Sequence, residues 1–149
     1  MNVNDLPYKF NVSHLTTIEI PPTDSAECWI NIDYQQFNAK IYCSFEAITP
    51  QTLGDFTEDC RKLVARTVKN ASAINEKTYE NVDNKVYATL FEIEGETASP
   101  LQFMLTDSSS RFFRGALYFE CKPDADSLAP YTALLRNDVI ELIQTFEWK

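Results

Sequence analysis

ETASPLQFMLTDSSSRFFRGALYF, Glu96 to Phe119, is the stretch that decides the fold. Apolar residues alternate from Leu101 to Leu105 and again from Phe113 to Phe119, and the polar residues Asp107, Ser108, Ser109 and Ser110 separate the two runs. Side chains on a strand point alternately to its two faces, so two such runs joined by a short Asp/Ser loop read as an antiparallel hairpin. Both faces of its second strand are apolar. Phe113, Leu117 and Phe119 lie on one, Phe112, Ala116 and Tyr118 on the other. With only two long helices available elsewhere, covering both faces is difficult. Part of one, with Trp29 or Tyr42 beside Arg114, is expected to stay accessible.

Outward from this hairpin, the preceding run Lys85 to Glu94 is a strand that Gly95-Glu96 turns towards it. Further upstream, His14 to Ile20, Cys28 to Tyr34 and Ala39 to Phe45 also alternate. Pro21-Pro22 stops the first of these, because proline cannot donate to a sheet ladder, and Thr23-Asp24-Ser25 turns the chain. Ile74 to Tyr79 is a weaker, shorter strand candidate. Two stretches carry helical spacing. After Thr49-Pro50, Leu53, Phe56, Cys60, Leu63, Val64 and Val68 form one apolar stripe ending near Asn70. Thr49 is placed to cap that helix, and Pro50 at its first position forfeits no hydrogen bond. Near the end, Asp126 or Ser127 caps a second helix with Pro130 in its first turn. Its stripe is Leu134, Leu135, Val139, Leu142, Ile143 and Phe146.

This order predicts an α+β fold: a mostly antiparallel sheet of at least five strands, with helices near 50–70 and 127–146 packed on it. Residues 1–13 read as an irregular lead-in or tether, and 14–149 as one domain. At 149 residues, 44% hydrophobic and 13% aromatic, the chain can bury roughly 70% of its unfolded surface. Large core side chains contribute about 1.5–3 kcal/mol each before entropy is subtracted, which makes Leu142 and Phe113 costly positions to truncate.

Charge excludes one class of partner. A net −9 spread along the chain opposes nucleic-acid binding, which needs a Lys/Arg footprint. No apolar run approaches the roughly 20 residues of a membrane-spanning helix. The amino end lacks the basic and apolar regions of a signal peptide, which fits either a cytosolic protein or one whose export segment is not part of this sequence.

Cys28, Cys43, Cys60 and Cys121 contain no Cys-x-x-Cys pair, and a single histidine makes a zinc site improbable, so no metal is assigned. All four fall on core faces and read as buried thiols; a Cys28–Cys43 bridge is the alternative in an oxidising compartment. His14 has no serine or cysteine motif to serve as base for. Glu92, Glu94 and Glu96 share a strand face, but no metal-binding loop surrounds them, and a solvated edge is expected. No nucleophile elbow, phosphate loop or dinucleotide fingerprint occurs, so no catalytic residue and no cofactor is assigned. The most site-like cluster is Asp107 with its serines, near Arg111 and Arg114. Two guanidinium forks suit a carboxylate or phosphate, whereas local Asp–Arg pairing in a solvated loop is the plainer reading. Arginine with aromatics, Arg114 with Tyr118, also suits a protein contact.

The chain resembles the GldD family of gliding-motility lipoproteins of Bacteroidetes. The resemblance runs from Trp29-Ile30-Asn31-Ile32-Asp33 and Phe37-Asn38 to the last residue. Its most specific parts are IEGETASPLQFMLTDS (Ile93 to Ser108), FFRGALYF (Phe112 to Phe119), DSLAP (Asp126 to Pro130) and TFEWK (Thr145 to Lys149). It implies an export signal and a lipidated cysteine upstream of this sequence, and a periplasm-facing domain held at the membrane by that lipid anchor. Implied partners are envelope proteins of the gliding and type IX secretion apparatus. Binding of, or action on, a small anionic envelope ligand at an Arg-containing site is the alternative. The alternation of elements with a Thr-Phe-x-Trp tail also resembles the PsbP-like α-β-α sandwich.

Overall fold

The structure is a computed structural model that describes residues 6–20, 29–66, 71–95, 99–120 and 125–149. Among the described residues, nine strands and two α-helices follow one another: β1 (Tyr8–Lys9), β2 (Thr17–Glu19), β3 (Ile30–Tyr34), β4 (Ala39–Ala47), α1 (Leu53–Arg66), β5 (Ala71–Asn81), β6 (Val86–Gly95), β7 (Leu101–Thr106), β8 (Arg111–Phe119), α2 (Ala125–Thr145) and β9 (Glu147–Trp148). Seven strands form one sheet in the order β2-β3-β4-β8-β7-β6-β5, and β1 pairs with β9 in a small second sheet. Every pairing is antiparallel. The expected α+β class is observed, with seven strands in the main sheet.

The hairpin of β7 and β8 sits in the middle because of how the chain returns. Strands β2 to β4 build one half of the sheet, and α1 carries the chain to the far edge. The meander β5 to β8 then walks back until β8 meets β4 in nine consecutive pairs, from Ala39↔Phe119 to Ala47↔Arg111. Strand alternation assigns each residue of β8 to one of two cores. Phe113, Leu117 and Phe119 join Leu135, Val139, Leu142 and Ile143 of α2, with Phe146 just beyond it, in the larger one. Phe112 joins Met104, Phe91 and Ile93 beneath Cys60 and Val64 of α1 in the smaller one.

Both helices form where spacing predicts, but α1 begins at Leu53, so Pro50 lies in the turn before it and not at its first position. The Thr49 hydroxyl accepts the Thr52 N–H (3.2 Å) while the Thr52 hydroxyl accepts that of Thr49 (2.9 Å), a reciprocal cap ahead of α1. Along α1, Cys60 and Val64 are buried but Leu63 is exposed; along α2, Leu135, Val139, Leu142 and Ile143 are buried but Leu134 is exposed. Each helix presents a narrower stripe to the sheet than the periodic pattern spans. Helix α2 also begins at Ala125, which places Pro130 in its second turn rather than its first.

Three further expectations are corrected. Strand β5 is eleven residues long instead of a short run at 74–79, and pairs with β6 along its length. Its polar sequence suits an edge strand that is largely exposed apart from Tyr79, which packs against the larger core, and its charged side chains also discourage pairing with other chains. Residues 6–13, expected as a lead-in, pack onto the domain, with a short strand at Tyr8–Lys9. Leu6 and Tyr8 are buried, and Tyr8 packs edge-on against Phe113 (4.7 Å between centroids) and stacks near Phe146. The solvated glutamate edge holds at Glu94, which is exposed, but not at Glu92. Glu92 is three-quarters or more buried and pairs with Arg136 of α2 and Lys77 of β5, tying helix to sheet. Glu94 accepts from Asn75.

Cys43 and Cys60 are buried free thiols, as their faces predict. Burial pushes both thiol pKa values up, and for Cys60 the Arg114 guanidinium opposes that rise. In the register of β3 and β4, Ile30 lies opposite Cys43. Expectations for Pro21-Pro22, residues 23–25, Cys28, Val68, Asn70, Glu96 and Cys121 lie outside the described residues, whereas the expected caps Asp126 and Ser127 fall inside α2, which begins at Ala125, so neither is its N-cap.

Candidate functional site

Asp107 organises the β7–β8 loop. Its Oδ1 accepts the backbone N–H groups of Ser109 (2.9 Å), Ser110 (2.8 Å) and Arg111 (3.0 Å), and its Oδ2 accepts the Ser110 hydroxyl (2.8 Å). Partial burial pushes the carboxyl pKa up, but these hydrogen bonds outweigh it and hold the group at about 2. Asp107 is therefore a carboxylate that builds its own loop. Thr106 closes the loop from the other side, donating to the Arg111 carbonyl (2.7 Å) and accepting the Ser108 N–H (3.0 Å), with Ser108 in the left-handed region at φ 70°.

Arg111 and Arg114 do not converge. Three residues apart on one strand, they project from opposite faces, and a clamp formed by both is corrected on that ground. Arg111 lies on the α2 side, its guanidinium carbon 5.8 Å from the centroid of the Trp148 ring. Trp148 is held by its indole N–H, which donates to the Lys85 carbonyl (2.9 Å), and by edge-on packing against Phe146 (4.7 Å).

Arg114 lies on the α1 side, opposite Ser44 of β4 and Met104 of β7. One terminal N–H group donates to Gln102 Oε1 (2.8 Å), and Gln102 is wholly buried. The Arg114 Nε is buried without a hydrogen-bond partner. Among the described residues no carboxylate pairs with this guanidinium.

The face beyond Arg114 is covered unevenly. Helix α1 buries Phe112, with Phe56 against it at 5.7 Å, and Ala116 is also buried. Farther along, Tyr118 is half-buried and meets Tyr42 edge-on at 5.8 Å. Tyr42 is 42% exposed and Trp29 37%. Alternation and register put Trp29, Asn31, Asp33, Lys40, Tyr42 and Tyr118 on this one side of β3, β4 and β8. Of the residues singled out by sequence, Arg114 and Tyr118 thus share a face, and Asp107 and Arg111 share the hairpin tip. His14 is exposed in the segment before β2. Gln102, Lys85 and Trp148 carry no motif. Only the register of β7 on β8 and the pairing of β9 with β1 bring them to the arginines.

These features define a class: an α+β domain with one antiparallel sheet between two helices, carrying an arginine beside aromatic rings on each side of its central strand. Within that class, the chain belongs to the gliding motility lipoprotein GldD family, whose model matches residues 2–148. No curated protein and no solved structure matches it. Membership implies a role in gliding motility and a lipid-anchored location at the cell envelope. No described helix is long and apolar enough to cross a membrane.

Proposed function

We propose that this domain is a non-catalytic, periplasm-facing adaptor that supports the gliding-motility and type IX secretion machinery by docking envelope proteins. The observation that carries the reading is the half-covered sheet face, where Tyr42 and Tyr118 pack together beside Trp29 and border a half-buried Arg114. Aromatic residues and arginine are the usual anchors of protein interfaces, since they combine large apolar area with directed hydrogen bonds. Arg114 adds a chemical preference. Its guanidinium has no counter-ion among the described residues, and an acidic side chain of a partner would supply one.

The test is a crosslinking pulldown of the lipidated protein from envelope fractions, comparing the unaltered chain with Arg114→Ala/Tyr118→Ala and with Tyr42→Ala. Thermal melts establish that each variant folds. Partner recovery and secretion in cells are expected to fall in the folded variants. Unchanged recovery and unchanged secretion would remove this surface as the docking site.

A further inference from the structure

The hairpin tip, the β5–β6 turn and the β9 end enclose a cleft of about 650 Å³ on the far side of the sheet from Tyr118. Four cations line it, Lys9, Lys85, Arg111 and Lys149, with three carboxylates, Asp83, Asp107 and Glu147. Counted as bare charges these nearly cancel, but two of the carboxylates are already engaged. Asp107 accepts four hydrogen bonds from its own loop, and Glu147 pairs with Lys9 at 2.9 Å. Among the described residues, no carboxylate lies within ion-pair distance of Arg111 or Lys85. With Lys9 paired to Glu147, the cations left facing this cleft for a ligand are Arg111 and Lys85, against Asp83 and the loop-bound Asp107.

The donors are also fixed in place. Trp148 is immobilised by its bond to the Lys85 carbonyl, and the Arg111 guanidinium lies over its ring. At 5.8 Å from the ring centroid the guanidinium is within cation–π range of Trp148, and its N–H groups form a fork matched in geometry to two oxygens of an oxyanion. Lys85, held in the left-handed region at φ 54° by the same turn that positions its carbonyl, brings a second positive charge to the cleft. A planar fork plus a point charge suits a phosphate ester, with three or more oxygens, better than a lone carboxylate.

We infer that this cleft is a binding site for a phosphate-bearing ligand, with Arg111 as its bidentate donor, Lys85 as its second cation and Trp148 as the rigid support. The site is independent of the docking face, which lies on the other side of β8. The phosphate of a soluble phosphorylated sugar and that of an anionic lipid head group share this chemistry.

Isotope-labelled full chain is titrated with glucose 1-phosphate at constant ionic strength, following the indole N–H signals of Trp148 and Trp29. A saturable shift confined to Trp148 is expected, weakened about tenfold or more in Arg111→Gln. Lys85→Gln, a change on an exposed turn that keeps the backbone bond to Trp148, is expected to weaken it as well. Co-sedimentation with phosphatidylcholine vesicles, with and without phosphatidylglycerol, separates the sources. Arg111-dependent binding to the anionic vesicles assigns the lipid head group, whereas a Trp148 shift without vesicle binding assigns a soluble ester. Absence of both signals, or equal binding by folded Arg111→Gln and Lys85→Gln, overturns the site.

Discussion

The Phe103 ring lies directly over Gly115, its partner across β7 and β8. A Cβ built on Gly115 would come within 2.6 Å of Phe103 Cε1 and 2.7 Å of Cε2, closer than carbon atoms approach. Glycine is needed here for space and not for backbone freedom. The ring takes the volume that a side chain at 115 would fill, and it packs on into Phe113 at 6.3 Å.

Gly115→Ala is therefore expected to destabilise the domain by roughly 1–3 kcal/mol, the usual penalty for overpacking a filled core. Chemical denaturation measures it. Partial rescue by Phe103→Leu in the Gly115→Ala background would identify the ring as the cause, and a neutral Gly115→Ala would refute the close approach.

The two leucines at 134 and 142 of α2 separate helical spacing from burial. Leu142 is 1% exposed and Leu134 43%. Leu142→Ala is expected to cost about 2–5 kcal/mol through lost burial and the cavity left behind. Leu134→Ala should stay within about 0.5 kcal/mol, as for most surface changes. Equal losses at the two positions would contradict the assigned helix face.

Asp107 links stability to acid. Its folded pKa, about 2, lies below the ordinary 3.8. Its contribution is thus complete above pH 4 and disappears as pH falls towards 2. The carboxylate is partly exposed, so solvent screening limits the effect to about 1 kcal/mol. Asp107→Asn should flatten the stability profile between pH 4 and pH 2 relative to the unaltered chain. Parallel profiles would show that the loop does not depend on the ionised form.

Cys43 and Cys60 should resist thiol reagents in the folded protein, because both are buried and burial disfavours the reactive thiolate. Mass spectrometry after brief alkylation, with and without denaturant, resolves each site. Rapid modification of Cys43 in the native protein would contradict its place in the core.

Strand and helix identity were legible wherever one face of an element is buried. Alternation at Leu101–Leu105 and Phe113–Phe119, and the stripe through Leu135, Val139 and Leu142, follow from that burial and set the α+β class without coordinates. Elements without a continuous buried face left no such trace. Strand β5 is polar because it is a largely exposed edge. The two-residue strands β1 and β9 are too short for any period, so the burial of Leu6 and Tyr8 beside Phe146 depends on a pairing across the whole chain. The candidate surfaces divide the same way. Sequence placed Asp107, Arg111, Arg114 and Tyr118 on one hairpin, and alternation alone separates the two arginines. Which neighbours each would meet was decided only by tertiary structure. Gln102 reaches Arg114 through the register of β7, and Trp148 and Lys85 reach Arg111 from elements 37 and 26 positions away in the chain. Local sequence dictates periodicity because burial acts on each element separately; charge pairing and cleft geometry arise only when distant elements are packed together.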